Sequence, residues 1–217
     1  MEEAISMSGI GELPLVIHNA MRPGPGTGLP TRTEQGDLNL AMYAGHGDFP
    51  RVLLAPTSLE SGVELGQKAF NIADKYQVPV IILSDANYLS QSMNLGKVNL
   101  EENEYHVVES TEDYKRYQYT ESGISPRSVP GYGKGLVKVD SDEHTEEGLI
   151  TEDFDVRIKM MDKRMKKLDK YVDIEPELVG NPDYETLIVG WGSTYGAIKE
   201  ALLKRKKKKT AFLSFKQ

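Results

Sequence analysis

Apolar positions along the chain fall into short runs separated by turn-forming stretches, the pattern of buried strands alternating with helices. Residues 13–20 (LPLVIHNA) are rich in strand formers and run straight into a Pro/Gly-dense stretch at 22–30, which predicts a strand feeding a loop. A second short run, 51–55 (RVLLA), precedes Thr57 and Glu60, whose spacing predicts a capping box for a helix reaching Tyr76. That helix is expected to bury Val63, Phe70 and Ala73, with Gly66 and Ala69 beside them. Residues 78–83 (VPVIIL) are continuously apolar, as a strand covered on both faces would be. Before all of these, residues 1–10 read as the later part of a helix, with Gly9 and Gly11 near its end.

The periodicity lapses between about 96 and 148, where charged residues, Tyr, Gly and Pro dominate; an excursion with a short hairpin is expected there. Thr151 then caps a helix whose apolar positions Phe154, Ile158, Met161, Met165, Leu168 and Val172 alternate spacings of four and three, a seam expected to dock on another element. Asn181-Pro182-Asp183 predicts a turn, and 186–189 (TLIV) a strand. Residues 190–196 (GWGSTYG) make the tight turn into a helix, with Gly196 permitting close helix packing, and a further strand starts at Thr210. The turn imitates a dinucleotide fingerprint, but its third glycine is displaced and no acidic residue ends the next strand, so a nicotinamide site is not expected. The alternation predicts an α/β fold with an open, mostly parallel sheet. The domain reading is 1–95 as the later part of a first domain, 96–183 as excursion, linker and connecting helix, and 184–217 as the start of a second α/β domain. On this reading the chain lacks the start of the first domain and the end of the second.

Composition removes several classes of function. The absence of cysteine excludes a disulfide framework and a thiolate cradle for an iron–sulfur cluster on this chain. A formal charge of −7 argues against nucleic-acid binding, and the basic run at 204–209 reads as a solvated helix end. No apolar run approaches the ~20 residues of a membrane span, so a cytoplasmic protein without membrane contact is expected. No pair of acidic residues has metal-ligand spacing, and no metal site is expected.

The most informative stretch is 21–38 (MRPGPGTGLPTRTEQGDL). Pro23, Gly24, Pro25 and Gly26 restrict the backbone and let a ligand approach main-chain N–H groups. Thr27, Thr31 and Thr33 add hydroxyls, and Arg22 and Arg32 add planar forks suited to a carboxylate or phosphate. Residue types leave two readings open: an anion-recognition loop at the carboxyl end of a strand, and a surface turn whose prolines only narrow the unfolded ensemble. His46, flanked by glycines, is a candidate donor to a ligand or a histidine satisfying a loop carbonyl. His144 lies in an acidic cluster and is read as an interdomain contact. His18 and His106 are read as ordinary, and Asp85 as a strand-end carboxylate bonded to a nearby turn.

The loop at 21–38, the segment YAGHGDFPR at 43–51, SDEHTEEGLITED at 141–153 and GWGSTYG at 190–196 together resemble alpha subunits of 2-oxoacid:ferredoxin oxidoreductases, in the same order and over nearly the whole chain. The wording TGLPTRTEQ at 27–35 resembles the 2-oxoglutarate type. The resemblance implies a pyrimidine-binding-type domain of a thiamine-diphosphate enzyme, then a linker and the start of a transketolase-C-terminal-like domain. It implies oxidative decarboxylation of a 2-oxoacid to acyl-CoA with reduction of ferredoxin. Arg22 matches the family's substrate-carboxylate arginine, with Thr27, Thr31 and His46 as further substrate contacts. The partners implied are a beta subunit, gamma and delta subunits where a complex has them, ferredoxin, the 2-oxoacid and coenzyme A. Thiamine diphosphate, magnesium and the iron–sulfur cluster are expected on partner subunits, so no cofactor-binding residue is assigned here and the isolated chain is expected to be inactive. The family's acidic pyrimidine contact and its TyrProXaaThrPro-like loop have no counterpart in the sequence. A non-catalytic fragment or interaction module and a transketolase-like transferase are the alternative readings.

Overall fold

The computed structural model describes residues 2–98, 100, 102–205 and 209–217. Helix α1 (Glu2–Ile10) leads into β1 (Leu15–Met21), then α2 (Leu38–Tyr43), β2 (Val52–Leu54), α3 (Leu59–Tyr76), β3 (Pro79–Asp85) and the single turn α4 (Ala86–Leu89). After a long irregular excursion come α5 (Phe154–Met165) with a 3-10 turn at Lys166–Leu168, β4 (Glu177–Gly180), β5 (Thr186–Trp191), α6 (Thr194–Arg205) and β6 (Thr210–Phe215). The middle of the lysine run lies outside the described residues; Lys204 pairs with Glu200, and Lys209 with Glu185. No helix among the described residues is long and apolar enough to cross a membrane.

The strands form two three-stranded sheets. In the first, ordered β1-β3-β2, both pairings are parallel, and β3 in the middle is buried on both faces, as its unbroken apolar run requires. In the second, ordered β4-β6-β5, β5 and β6 are parallel and β4 runs antiparallel along the edge. This sheet takes in Glu177–Gly180, upstream of residue 184, where the sequence pattern placed its start. A four-residue strand with only alternate residues shielded leaves too short a pattern to read.

Helix α3 starts one residue later than its sequence suggested. Ser58, not Thr57, is the N-cap, and the reciprocal partner is Ser61, not Glu60. The helix buries Leu65, Ala69, Ile72 and Ala73 against β2 and β3, while Val63 and Phe70, assigned to this face, are exposed at 40% and 65%. Leu65 and Ile72 match the 3.6-residue repeat of Ala69 and Ala73 better, and Gly66 faces open space. Ser58→Ala removes an acceptor for the Ser61 amide, so a loss of about 1 kcal/mol in denaturation is expected.

The largest departure concerns α5. Its cap is Asp153, which accepts from the amides of Asp155 and Val156; Thr151 only supports Asp153 from behind. The apolar seam is mostly turned outward, with Phe154 84%, Ile158 59% and Val172 80% exposed. The buried side is Met160, Lys163, Arg164 and Lys167. Lys163 Nζ lies 2.6 Å from Glu12 Oε1 and Lys167 Nζ 2.7 Å from Oε2. Arg116, from the excursion, donates to the Glu12 carbonyl at 2.6 Å and to Gln77 Oε1 at 3.0 Å. Lys167 also donates to the Gln77 carbonyl at 2.9 Å. Glu12 and Gln77 follow the ends of α1 and α3 with φ of 51° and 53°, so three cations converge on one carboxylate and two helix C-termini. Leu168, Tyr171 and Ile174 continue the attachment onto the α3 side of the first sheet.

The excursion is held by local turns and single bridges rather than ladders. Its expected hairpin is a tight one: His144 bridges Ile150, and the Thr151 amide donates to the Glu143 carbonyl. His144 is buried against Tyr117, with ring centroids 3.7 Å apart, and its Nδ1 lies 2.9 Å from the Asp142 carbonyl. Glu143 receives both Arg164 and Arg157. His18 bonds Ser84 on the neighbouring strand, and His106 bonds Glu104.

Candidate functional site

Parallel sheets present ligands at the carboxyl ends of their strands, and here three such ends converge. Met21 ends β1 and stands in register with Asp85, which ends β3. Trp191 ends β5 in the second sheet. Asp85 is 1% exposed, and both of its oxygens are engaged. Oδ1 accepts the Tyr88 amide at 2.9 Å, capping α4. Oδ2 accepts the Ser193 hydroxyl at 2.7 Å and Gln35 Nε2 at 3.3 Å. Gln35 Nε2 also donates to the Trp191 carbonyl at 3.0 Å.

The loop from Arg22 to Gly36 is slung between these ends. Gly28, at φ +51, folds it back so that the Leu29 amide donates to the Pro23 carbonyl at 3.0 Å. A Cβ at 28 would lie 1.8 Å from the Pro23 oxygen, so the turn admits only glycine. The Gly24–Pro25 peptide is cis. Past the loop, Asn19 Nδ2 donates to Asp37 at 3.2 Å, tying the residue before α2 back to β1. Arg22, Thr27, Thr31 and Arg32 are exposed, and Arg22 makes no hydrogen bond or ion pair with another described residue. A guanidinium at the strand end with no partner among the described residues can take an anion. Gly28→Ala should therefore displace the loop while leaving the thermal midpoint within a few degrees, because the loop is exposed and outside the core; limited proteolysis with a melting control would check this.

His46 sits elsewhere. Its amide donates to Ser6 Oγ at 2.6 Å and its ring Nε2 lies 3.6 Å from Glu3, so its contacts are both with α1. Arg51 stacks on Phe49 and donates to the carbonyls of Ala41 and Ala44, which fixes the 43–51 segment. In the GWGSTYG turn the constrained residue is Gly192, not Gly196, which meets open space. Gly192 has φ +62, and a Cβ there would lie 2.7 Å from Gln35 Nε2. The sequence pattern missed Gln35 and Ser193, since neither type signals a site and their shared partner lies 50 and 108 residues away.

An apolar cleft of about 480 Å³ lies between β2 and the second sheet, bordered by Met42, Leu54, Trp191 and Phe215. Among the described residues, no group of three or more His, Cys, Asp or Glu could hold a metal ion.

Residues 1–163 match the family model described as pyruvate flavodoxin/ferredoxin oxidoreductase, thiamine diphosphate-binding. The 2-oxoacid:ferredoxin oxidoreductase 1 alpha subunit of Sulfurisphaera tokodaii is 40% identical over 215 residues, covering 93% of this chain and 34% of that protein. The 2-oxoglutarate synthase subunit KorA of Archaeoglobus fulgidus is 34% identical, covering 93% of this chain and 52% of the relative. The chain thus spans about a third to a half of the length of these relatives. Among solved structures, the 2-oxoglutarate:ferredoxin oxidoreductase from Magnetococcus marinus, with 2-oxoglutarate, coenzyme A and succinyl-CoA bound, superposes with a TM-score of 0.89 at 32% identity, covering 100% of this chain and 39% of that one. By the extent of the family match, the chain belongs to the thiamine-diphosphate-binding pyruvate flavodoxin/ferredoxin oxidoreductase family.

Proposed function

We propose that this chain forms part of the alpha subunit of a 2-oxoglutarate:ferredoxin oxidoreductase and contributes the loop that grips the substrate carboxylate. The observation that carries the reading is the guanidinium of Arg22 at the end of β1, without a partner among the described residues, on a loop bent at Gly28. In the reaction, 2-oxoglutarate loses carbon dioxide, its acyl group passes to coenzyme A, and the released electron pair reduces ferredoxin. The carbon–carbon cleavage belongs to the cofactor, so the protein's share is placement and electrostatics. Arg22 binds and orients the carboxylate, and the hydroxyls of Thr27 and Thr31 donate to the same ligand. Thiamine diphosphate with its magnesium is held chiefly by a beta subunit, and the iron–sulfur cluster also sits on a partner, since cysteine is absent here. The 2-oxoglutarate preference draws support from the TGLPTRTEQ wording and from the names of the relatives. The test is an assay of the assembled complex with 2-oxoglutarate, pyruvate and 2-oxoisovalerate, using a viologen acceptor. Highest kcat/KM on 2-oxoglutarate is expected, and preference for the branched-chain acid would overturn the assignment.

A further inference from the structure

We propose that Asp85, acting through Gln35, is a positioning residue that sets where the Arg22 loop delivers its guanidinium. This rests on the reading of that loop as the carboxylate grip. One foot of the loop lies beside Asp85 in the sheet, and the other is bonded to its carboxylate. Its first foot, Met21, is the strand partner of Asp85 in the β1–β3 register and is itself 1% exposed. Its far foot, Gln35, reaches back to Asp85 Oδ2 at 3.3 Å.

The loop between these feet has little else to hold it. Its backbone bonds are internal, from Leu29 to Pro23 and from Arg32 to Leu29, and its polar side chains point to solvent. A loop restrained only at its ends takes its position from the ends, so a buried anchor with all its bonds made defines where Arg22 stands. The anchor is itself fixed from two sides. Tyr88 N on α4 and Ser193 Oγ in the β5–α6 turn hold the Asp85 oxygens, and the Trp191 carbonyl holds Gln35. Gly192 is the residue that lets Gln35 approach so closely. The second sheet therefore acts on substrate binding at one remove, through the Gln35 amide and the Ser193 hydroxyl.

The experiment compares Gln35→Ala, Asp85→Asn and Arg22→Ala in the assembled oxidoreductase, measuring kcat and separate KM values for the 2-oxoacid and for coenzyme A. Gln35→Ala is expected to raise KM for the 2-oxoacid about tenfold, the loss of one hydrogen bond to a charged group. Its KM for coenzyme A should stay unchanged. Asp85→Asn keeps the shape and one acceptor, so an intermediate rise is expected. In an Arg22→Ala background, Gln35→Ala should add nothing further, since there is no guanidinium left to position. If Arg22→Ala raises the 2-oxoacid KM while Gln35→Ala and Asp85→Asn do not, or shift both KM values together, Asp85 is only a joint of the fold. That result overturns this inference and leaves the loop reading intact. If Arg22→Ala itself leaves the 2-oxoacid KM unchanged, the loop reading fails and the positioning role falls with it.

Discussion

Replacing Arg22 by alanine in the assembled enzyme is expected to lower kcat/KM for 2-oxoglutarate by at least thirtyfold. A truncated fork that had gripped a carboxylate in a water-poor site costs roughly 2–5 kcal/mol, which corresponds to ~30-fold to several thousand-fold. Arg22→Lys should recover little of this. Lysine keeps the charge but offers a point donor where the fork supplies two parallel bonds in one plane. In the free chain the guanidinium is solvated, so neither substitution should alter stability by more than about half a kcal/mol. Steady-state kinetics with a melting control separates the two effects.

The second large effect lies far from the loop. Glu12→Gln should destabilise the purified chain by roughly 3–5 kcal/mol in urea denaturation at pH 7, because it leaves Lys163 and Lys167 buried without their counter-charge. Burial pushes the Glu12 carboxyl up, but Lys167 and Lys163 outweigh it and hold it at about 2. Burial likewise pulls Lys167 down, to about 8, against the pull of Glu12. The carboxyl is depressed below its ordinary 4.5, so its contribution is present above that value and is lost as the pH falls toward 2. The gap between wild type and Glu12→Gln should therefore be full at pH 7 and shrink steadily between pH 4.5 and 2. Equal urea midpoints for the two proteins at pH 7 would contradict this account.

The parallel sheet was legible because β3 is an unbroken apolar run and β1 ends in a Pro/Gly stretch that permits nothing but a loop. The face of α5 was not. Its periodic apolar seam is what a sequence displays, but the side that docks carries two lysines and an arginine. Their counter-charges lie elsewhere in the chain, Glu12 being 151 residues from Lys163. Burial of charge is decided by long-range pairing, which a local pattern does not register. The same holds at the candidate site. Arg22, Thr27 and Thr31 announce themselves through a dense local motif, whereas Gln35 and Ser193 acquire meaning only when the two sheets bring them to Asp85. His46 was open between a ligand donor and a histidine satisfying the loop, and in the free chain its amide and ring meet Ser6 and Glu3 on α1.

A structure of the assembled oxidoreductase with 2-oxoglutarate bound would show directly what meets the substrate carboxylate. Arg22 nitrogens are expected within about 2.7–2.9 Å of a substrate carboxylate oxygen. A bound 2-oxoglutarate whose carboxylates are met by other residues, with the Arg22 side chain extended into bulk water, would contradict it.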